Sequence, residues 1–136
     1  MILVDSNVII DTFEPGSEWF EWSHDALGDL ADDDLFIDSV VAAEIGSRFQ
    51  SAEEFADSLA TLGLPILAVP LHGAWLAGQA YLGWVRNGGR RGAILPDLLI
   101  GAHAAARSAP VLTRDPRRFR TYFPELELIT PETHDD

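Results

Sequence analysis

Cysteine and lysine are both missing from this chain of 136 residues. Without cysteine there is no disulfide, no thiolate nucleophile, no zinc ribbon and no iron–sulfur cluster. Without lysine there is no Schiff-base chemistry, no P-loop lysine and no Ser-Lys pair. All nine basic residues are arginine, set against 22 acids, for a formal net charge of −13. Long apolar runs are missing too. The best candidate, Ala93 to Ala106, is broken by Pro96, Asp97 and His103 and is too short for a bilayer. The start, Met1-Ile2-Leu3-Val4-Asp5, lacks the basic region of a signal peptide. The expectation is therefore a soluble cytoplasmic protein with no membrane partner. What the chain does have is 47% apolar residues, enough for an ordinary core, in a length that suits one domain, 1–136.

The charge is unevenly placed. Residues 1–60 hold fifteen acids against Arg48 alone, a net of −14. Residues 61–85 carry no charged side chain of either sign, and residues 86–120 hold eight arginines against Asp97 and Asp115, a net of +6. A uniformly acidic protein would repel nucleic acid, but an acidic chain with one basic arm constrains only which face a polyanion can use.

Ile2-Leu3-Val4, Leu35-Phe36-Ile37, Ile66 to Val69 and Val111-Leu112-Thr113 are short, β-branched runs of the kind that form buried parallel strands, with Glu127 to Ile129 as a possible edge strand. Between them, helical spacing or length predicts a turn over Val8 to Thr12 and helices over about 17–31, from Ser39, over 52–62, over 71–86, from Pro96 and over 116–122. This alternation predicts an α/β fold, a three-layer sandwich around a central, mostly parallel sheet of four or five strands. Functional groups in such sheets collect beyond the carboxyl ends of the strands, where Asp5, Asp38 and Asp115 fall.

Most of the acids need only solvent. Four lie in apolar context, where an unpaired charge is costly: Asp5, Glu44, Asp97 and Asp115. Each has an ordinary alternative. Asp5 or Asp115 can end a strand and cap the next turn, Asp97 can cap a helix after Pro96, and Glu44 can be a half-exposed helix acid. Taken together they form a set of carboxylates, with no cysteine and no neighbouring histidine, of the type that holds Mg2+ or Mn2+ rather than zinc.

The ordered motifs Ile2-Leu3-Val4-Asp5-Ser6-Asn7, Val41-Ala42-Ala43-Glu44-Ile45, Pro96-Asp97-Leu98-Leu99-Ile100-Gly101-Ala102-His103-Ala104 and Val111-Leu112-Thr113-Arg114-Asp115 run through essentially the whole chain. In this the sequence resembles PIN-domain ribonucleases, specifically the VapC-type toxins of type II toxin–antitoxin systems. The resemblance implies a catalytic and metal-binding quartet of Asp5, Glu44, Asp97 and Asp115, supported by Asn7 and Thr113. Asp5 and Asp97 would be direct ligands and Asp115 would complete the shell, with Glu44 holding a second ion or orienting water. It further implies a Mg2+- or Mn2+-dependent endoribonuclease cutting a structured RNA (tRNA or rRNA), a small antitoxin partner and a homodimer.

The arginines carry two readings. Arg86, Arg90 and Arg91, around Gly88-Gly89, either grip RNA phosphates or pair with the acidic first half. Arg114, Arg117, Arg118 and Arg120 flank Asp115 and are better placed for substrate. His103 reads as a packed or partly exposed histidine rather than a base, and Trp19, Trp22, Trp75 and Trp84 as core or protein-contact residues rather than base platforms. A receiver domain is excluded by the missing lysine. A dehalogenase-type phosphatase would need an acid where Asn7 stands, and a flap-type nuclease needs helical additions for which there is no room. The open alternatives are an inactive PIN-like RNA- or protein-binding module and a solitary RNA-processing nuclease.

Overall fold

A computed structural model describes residues 1–90 and 94–134. Among them, five strands form one sheet in the order β3-β2-β1-β4-β5, every pair parallel. The strands are β1 (Ile2–Val4), β2 (Leu35–Asp38), β3 (Ile66–Leu67), β4 (Val111–Leu112) and β5 (Leu128–Ile129). The helices are α1 (Ser6–Thr12), α2 (Phe20–Asp29), α3 (Ser39–Gly46), α4 (Ala52–Leu62), α5 (Leu71–Arg86), α6 (Leu95–Ala106) and α7 (Arg117–Tyr122). This is the expected parallel α/β architecture, in its five-stranded form.

The sheet is built outward from β1, whose Leu3 and Val4 are fully buried. Successive connections run from β1 to β2 and β3 on one side, then from β4 to β5 on the other. The strand order therefore reverses between β1 and β4, and a crevice opens beyond their carboxyl ends. Val8 and Ile9 of α1, Val41 and Ile45 of α3, and Ile100 and Ala104 of α6 fill the core around Phe36, Val111 and Leu112.

Local chemistry sets the ends of the elements. Asp5 caps α1 by accepting from the Ser6 amide at 2.8 Å, so this helix begins at Ser6 rather than at Val8. Asp38 caps α3 through the Val41 amide at 2.9 Å, and Ser51 caps α4 through the Glu54 amide at 3.1 Å. α2 is shorter than the predicted 17–31, and β3 ends at Leu67, with the next carbonyl, of Ala68, accepting from Arg107 Nη2 at 2.9 Å. α7 can approach α6 only because residue 101 is glycine: a Cβ there would lie 2.6 Å from the Phe123 ring.

Candidate active site

β1 delivers Asp5 to the crevice and α1 turns away from it at once, leaving the carboxylate 7% exposed. Two side chains and one amide donate to it. Thr113, just past β4, donates its hydroxyl to Asp5 Oδ2 at 2.8 Å, and Asn7 Nδ2 lies 3.3 Å from both Asp5 Oδ2 and Thr113 Oγ1. Ser6 gives its amide to Asp5 and its hydroxyl to Glu44 Oε1 at 3.1 Å. These donors favour the charged carboxylate, but they are outweighed. Burial, with smaller contributions from the neighbouring charges of Glu44 and Asp97, raises the Asp5 pKa from 3.8 to about 7. Glu44 is raised as well, first by burial and then by the charges of Asp97 and Asp38.

Asp97 enters from the first turn of α6, where Pro96 occupies an early position that needs no amide. Asp115 follows β4, its amide donating to Thr113 Oγ1 at 3.1 Å. The four acids line one cleft of about 540 Å3, together with Ser6, Asn7, Arg117 and Arg118. A larger hollow, about 670 Å3, opens at the amino end of β4 between Ala109, Pro110, Phe123 and Leu126. It is mainly apolar and takes no part of the quartet, so the smaller cleft is the chemically equipped one.

An all-carboxylate set with amide and hydroxyl support suits a hard divalent cation. An acid raised by burial, and further by its acidic neighbours, is the site such a cation relieves. Among the described residues, no three of these groups are drawn together as a ready coordination shell. Arginines stand there instead. Arg118 Nη1 lies 2.6 Å from Asp97 Oδ2, and Arg117 Nε lies 3.6 Å from Asp115 Oδ1.

The structure thus brings Asp5, Asn7, Glu44, Asp97, Asp115, Arg117 and Arg118 to one place, with Thr113 directly beneath Asp5. Arg114 points elsewhere. Its guanidinium grips Asp11 through Nε at 2.8 Å and Nη2 at 3.1 Å, and lies 5.9 Å from the Trp19 ring centroid. That pairing raises the Arg114 pKa further. Arg90 is exposed in the loop after α5, its carbonyl accepting from Trp84 Nε1 at 2.8 Å. Arg91 lies outside the described residues.

Sequence reasoning passed over Ser6 and Asp11. Asp11 is 1% exposed and also accepts from Ser23 Oγ at 2.7 Å. The signal was present, an acid directly after Val8-Ile9-Ile10, the same apolar context that singled out the other four. His103 is fully buried, the packed one of its two ordinary readings. Of the tryptophans, Trp75 is 59% exposed rather than packed in the core.

Solved structures with this fold include VapBC2 from Rickettsia felis bound to a DNA fragment from their promoter, 23% identical with a TM-score of 0.73. That match covers 96% of this chain and 98% of the other. FitAcB from Neisseria gonorrhoeae is 23% identical with a TM-score of 0.72, over 98% of this chain and 100% of the other. A toxin-antitoxin complex from Klebsiella pneumoniae is 18% identical with a TM-score of 0.64, over 96% and 98%. No curated protein matches significantly. The family model of the PIN domain matches residues 2–124, a span that takes in all four acids of the cleft. The chain belongs to the PIN domain family.

Proposed function

We propose that this protein is a Mg2+- or Mn2+-dependent endoribonuclease and the toxin of a toxin–antitoxin pair, with Asp5, Glu44, Asp97 and Asp115 as its catalytic and metal-binding residues. The carrying observation is the buried Asp5 carboxyl, raised to about 7 beside Glu44 and Asp97 in the crevice between β1 and β4. Membership of a nuclease fold family supports the reaction class, and the Klebsiella pneumoniae structure, a toxin-antitoxin complex, supports the biological setting.

A divalent ion bound here would supply a Lewis acid for the scissile phosphate and lower the pKa of its water. Asp5 and Asp97 would hold it, from the end of β1 and the first turn of α6. Thr113 and Asn7, donating to Asp5 Oδ2, and the Ser6 amide, donating to Oδ1, fix the orientation of Asp5. Ser6 does the same for Glu44, leaving that carboxylate to orient water or a second ion. Arg117 and Arg118 line the cleft, where guanidinium groups would contact phosphate. No side-chain nucleophile is needed, which suits a cleft lined by carboxylates, hydroxyls and guanidinium groups.

The acid-rich residues 1–60 suit a basic antitoxin segment better than RNA. Among the described residues no helix is long and apolar enough to cross a membrane. The reading includes a homodimer and action in the cytoplasm on a structured RNA (tRNA or rRNA).

Expression from a tight promoter tests the reading. Wild type should arrest growth, and both Asp5→Asn and Asp97→Asn should permit it at equal protein levels. Arrest by both variants would remove the quartet from the mechanism. A small co-expressed protein that relieves the arrest and co-purifies would identify the antitoxin.

A further inference from the structure

We propose that Arg118 is an internal counter-cation of the cleft, competing with the divalent ion for Asp97 and released to the rim when that ion binds. The inference rests on the metal-dependent reading above and adds a residue that regulates loading.

The placement of Arg118 is built rather than incidental. α7 carries it, and α7 is fastened to α6 by Phe119, 3% exposed, and by Phe123 lying against Gly101. The guanidinium then sits between two partners. On one side Nη1 reaches Asp97 Oδ2 at 2.6 Å; on the other the guanidinium carbon lies 6.0 Å from the Trp84 ring centroid. Trp84 is itself fixed, its Nε1 donating to the Arg90 carbonyl at 2.8 Å. Gly89 lies so close to the indole that a Cβ there would fall 2.2 Å from it.

A carboxylate oxygen takes Mg2+ at about 2.0–2.1 Å. With a guanidinium already on Asp97 Oδ2, the ion and the arginine would stand in near contact as like charges in a partly desolvated cleft. The two are therefore alternatives. Loading displaces Arg118 from Asp97 without removing it from the cleft, because α7 stays packed on α6. A freed guanidinium at the mouth is what an incoming phosphate requires. By reciprocity, a phosphate that draws Arg118 off Asp97 tightens metal binding.

Calorimetric titration with Mn2+ tests this on the full chain, comparing wild type, Arg118→Ala, Arg120→Ala and Asp97→Asn. Arg120 is the charge-matched control, since it pairs with Glu132 rather than with the quartet. Arg118→Ala should bind Mn2+ about fivefold more tightly than wild type, the scale of one released partly exposed ion pair. Arg120→Ala should stay within about 1.5-fold, the scale of a distant screened charge. Asp97→Asn should lose at least about tenfold, as expected for a lost ligand. Arg118 is half exposed, so the variant should melt cooperatively; Arg118→Lys, which keeps the charge but not the planar fork, should fall between wild type and alanine. Unchanged or weaker binding by Arg118→Ala overturns the proposal, as does equal tightening by Arg120→Ala. If wild type and Arg118→Ala both fail to bind Mn2+, the metal-dependent reading itself fails and takes the inference with it.

Discussion

At the residue scale, Asp5 shows how burial and hydrogen bonding compete on one carboxyl group. Burial dominates, and the hydroxyl of Thr113 and amide of Ser6 recover only part of the cost. In the unfolded chain Asp5 gives up its proton near 3.8, but in the folded protein it keeps it to about 7. Between those values the folded state binds more protons, so the contribution of Asp5 to stability falls as pH rises, then levels off above about 7. Asp5→Asn should abolish that loss. With a chelator present, the variant should melt above wild type at about pH 8, and the gap should narrow toward about pH 4. Parallel melting curves across that range would remove the burial argument. Asp5, Glu44 and Asp97 were legible because each interrupts an apolar run, and Asp115 because it follows a short buried strand. The Asp11–Arg114 pair was not, because proximity to Asp115 in sequence says nothing about which way a guanidinium turns.

Among the elements, α3 and α6 carry Glu44 and Asp97, and one buried carboxylate ties them together. Asp38 Oδ1 caps α3, while Oδ2 lies 2.8 Å from His103 Nδ1 on α6, both side chains fully buried. Arg107 can only donate, and its Nε lies 2.6 Å from His103 Nε2. The imidazole therefore donates from Nδ1 to Asp38 Oδ2. His103→Ala would strand the Asp38 charge in the core and should cost about 3 kcal/mol in chemical denaturation. A loss of less than about 1 kcal/mol would mean that the pair contributes little beyond packing. A second prediction concerns the end of α6, where Ser108 adopts a left-handed φ of 53°. Ser108→Gly should stabilise by about 0.5–1 kcal/mol, read as a higher melting temperature. Long helices and β-branched strands were legible from periodicity. The helix starts were partly so: Asp5 caps the turn after its strand, as its position allowed, but α1 begins at Ser6, two residues before Val8. The Asp38–His103 pair was invisible because its partners are 65 residues apart.

For the whole molecule, the net charge of −13 conceals a division of labour. The quartet is gathered by topology alone: β1 and β4 meet where the strand order reverses, and α3 and α6 close over their carboxyl ends. The basic arm then reaches the same cleft through Arg117 and Arg118. RNA binding by a cleavage-deficient Asp5→Asn background should therefore weaken as salt rises, and removing Arg117, whose side chain is 88% exposed, should lower that slope by about one. Arg114→Ala should leave the slope nearly unchanged, because its guanidinium is held by Asp11. The parallel sheet could be read from the alternation of strands and helices, whereas the strand order that makes the crevice could not. The most direct test of the central claim is cleavage of purified cellular RNA by wild type, Asp5→Asn and Asp97→Asn, each with Mg2+ or with a chelator. Wild type should cut only with the metal, and both variants should lose at least about a hundredfold in rate, the scale of a lost group at a charged transition state. Cutting by wild type in chelator, or by both variants at the wild-type rate, would contradict the account.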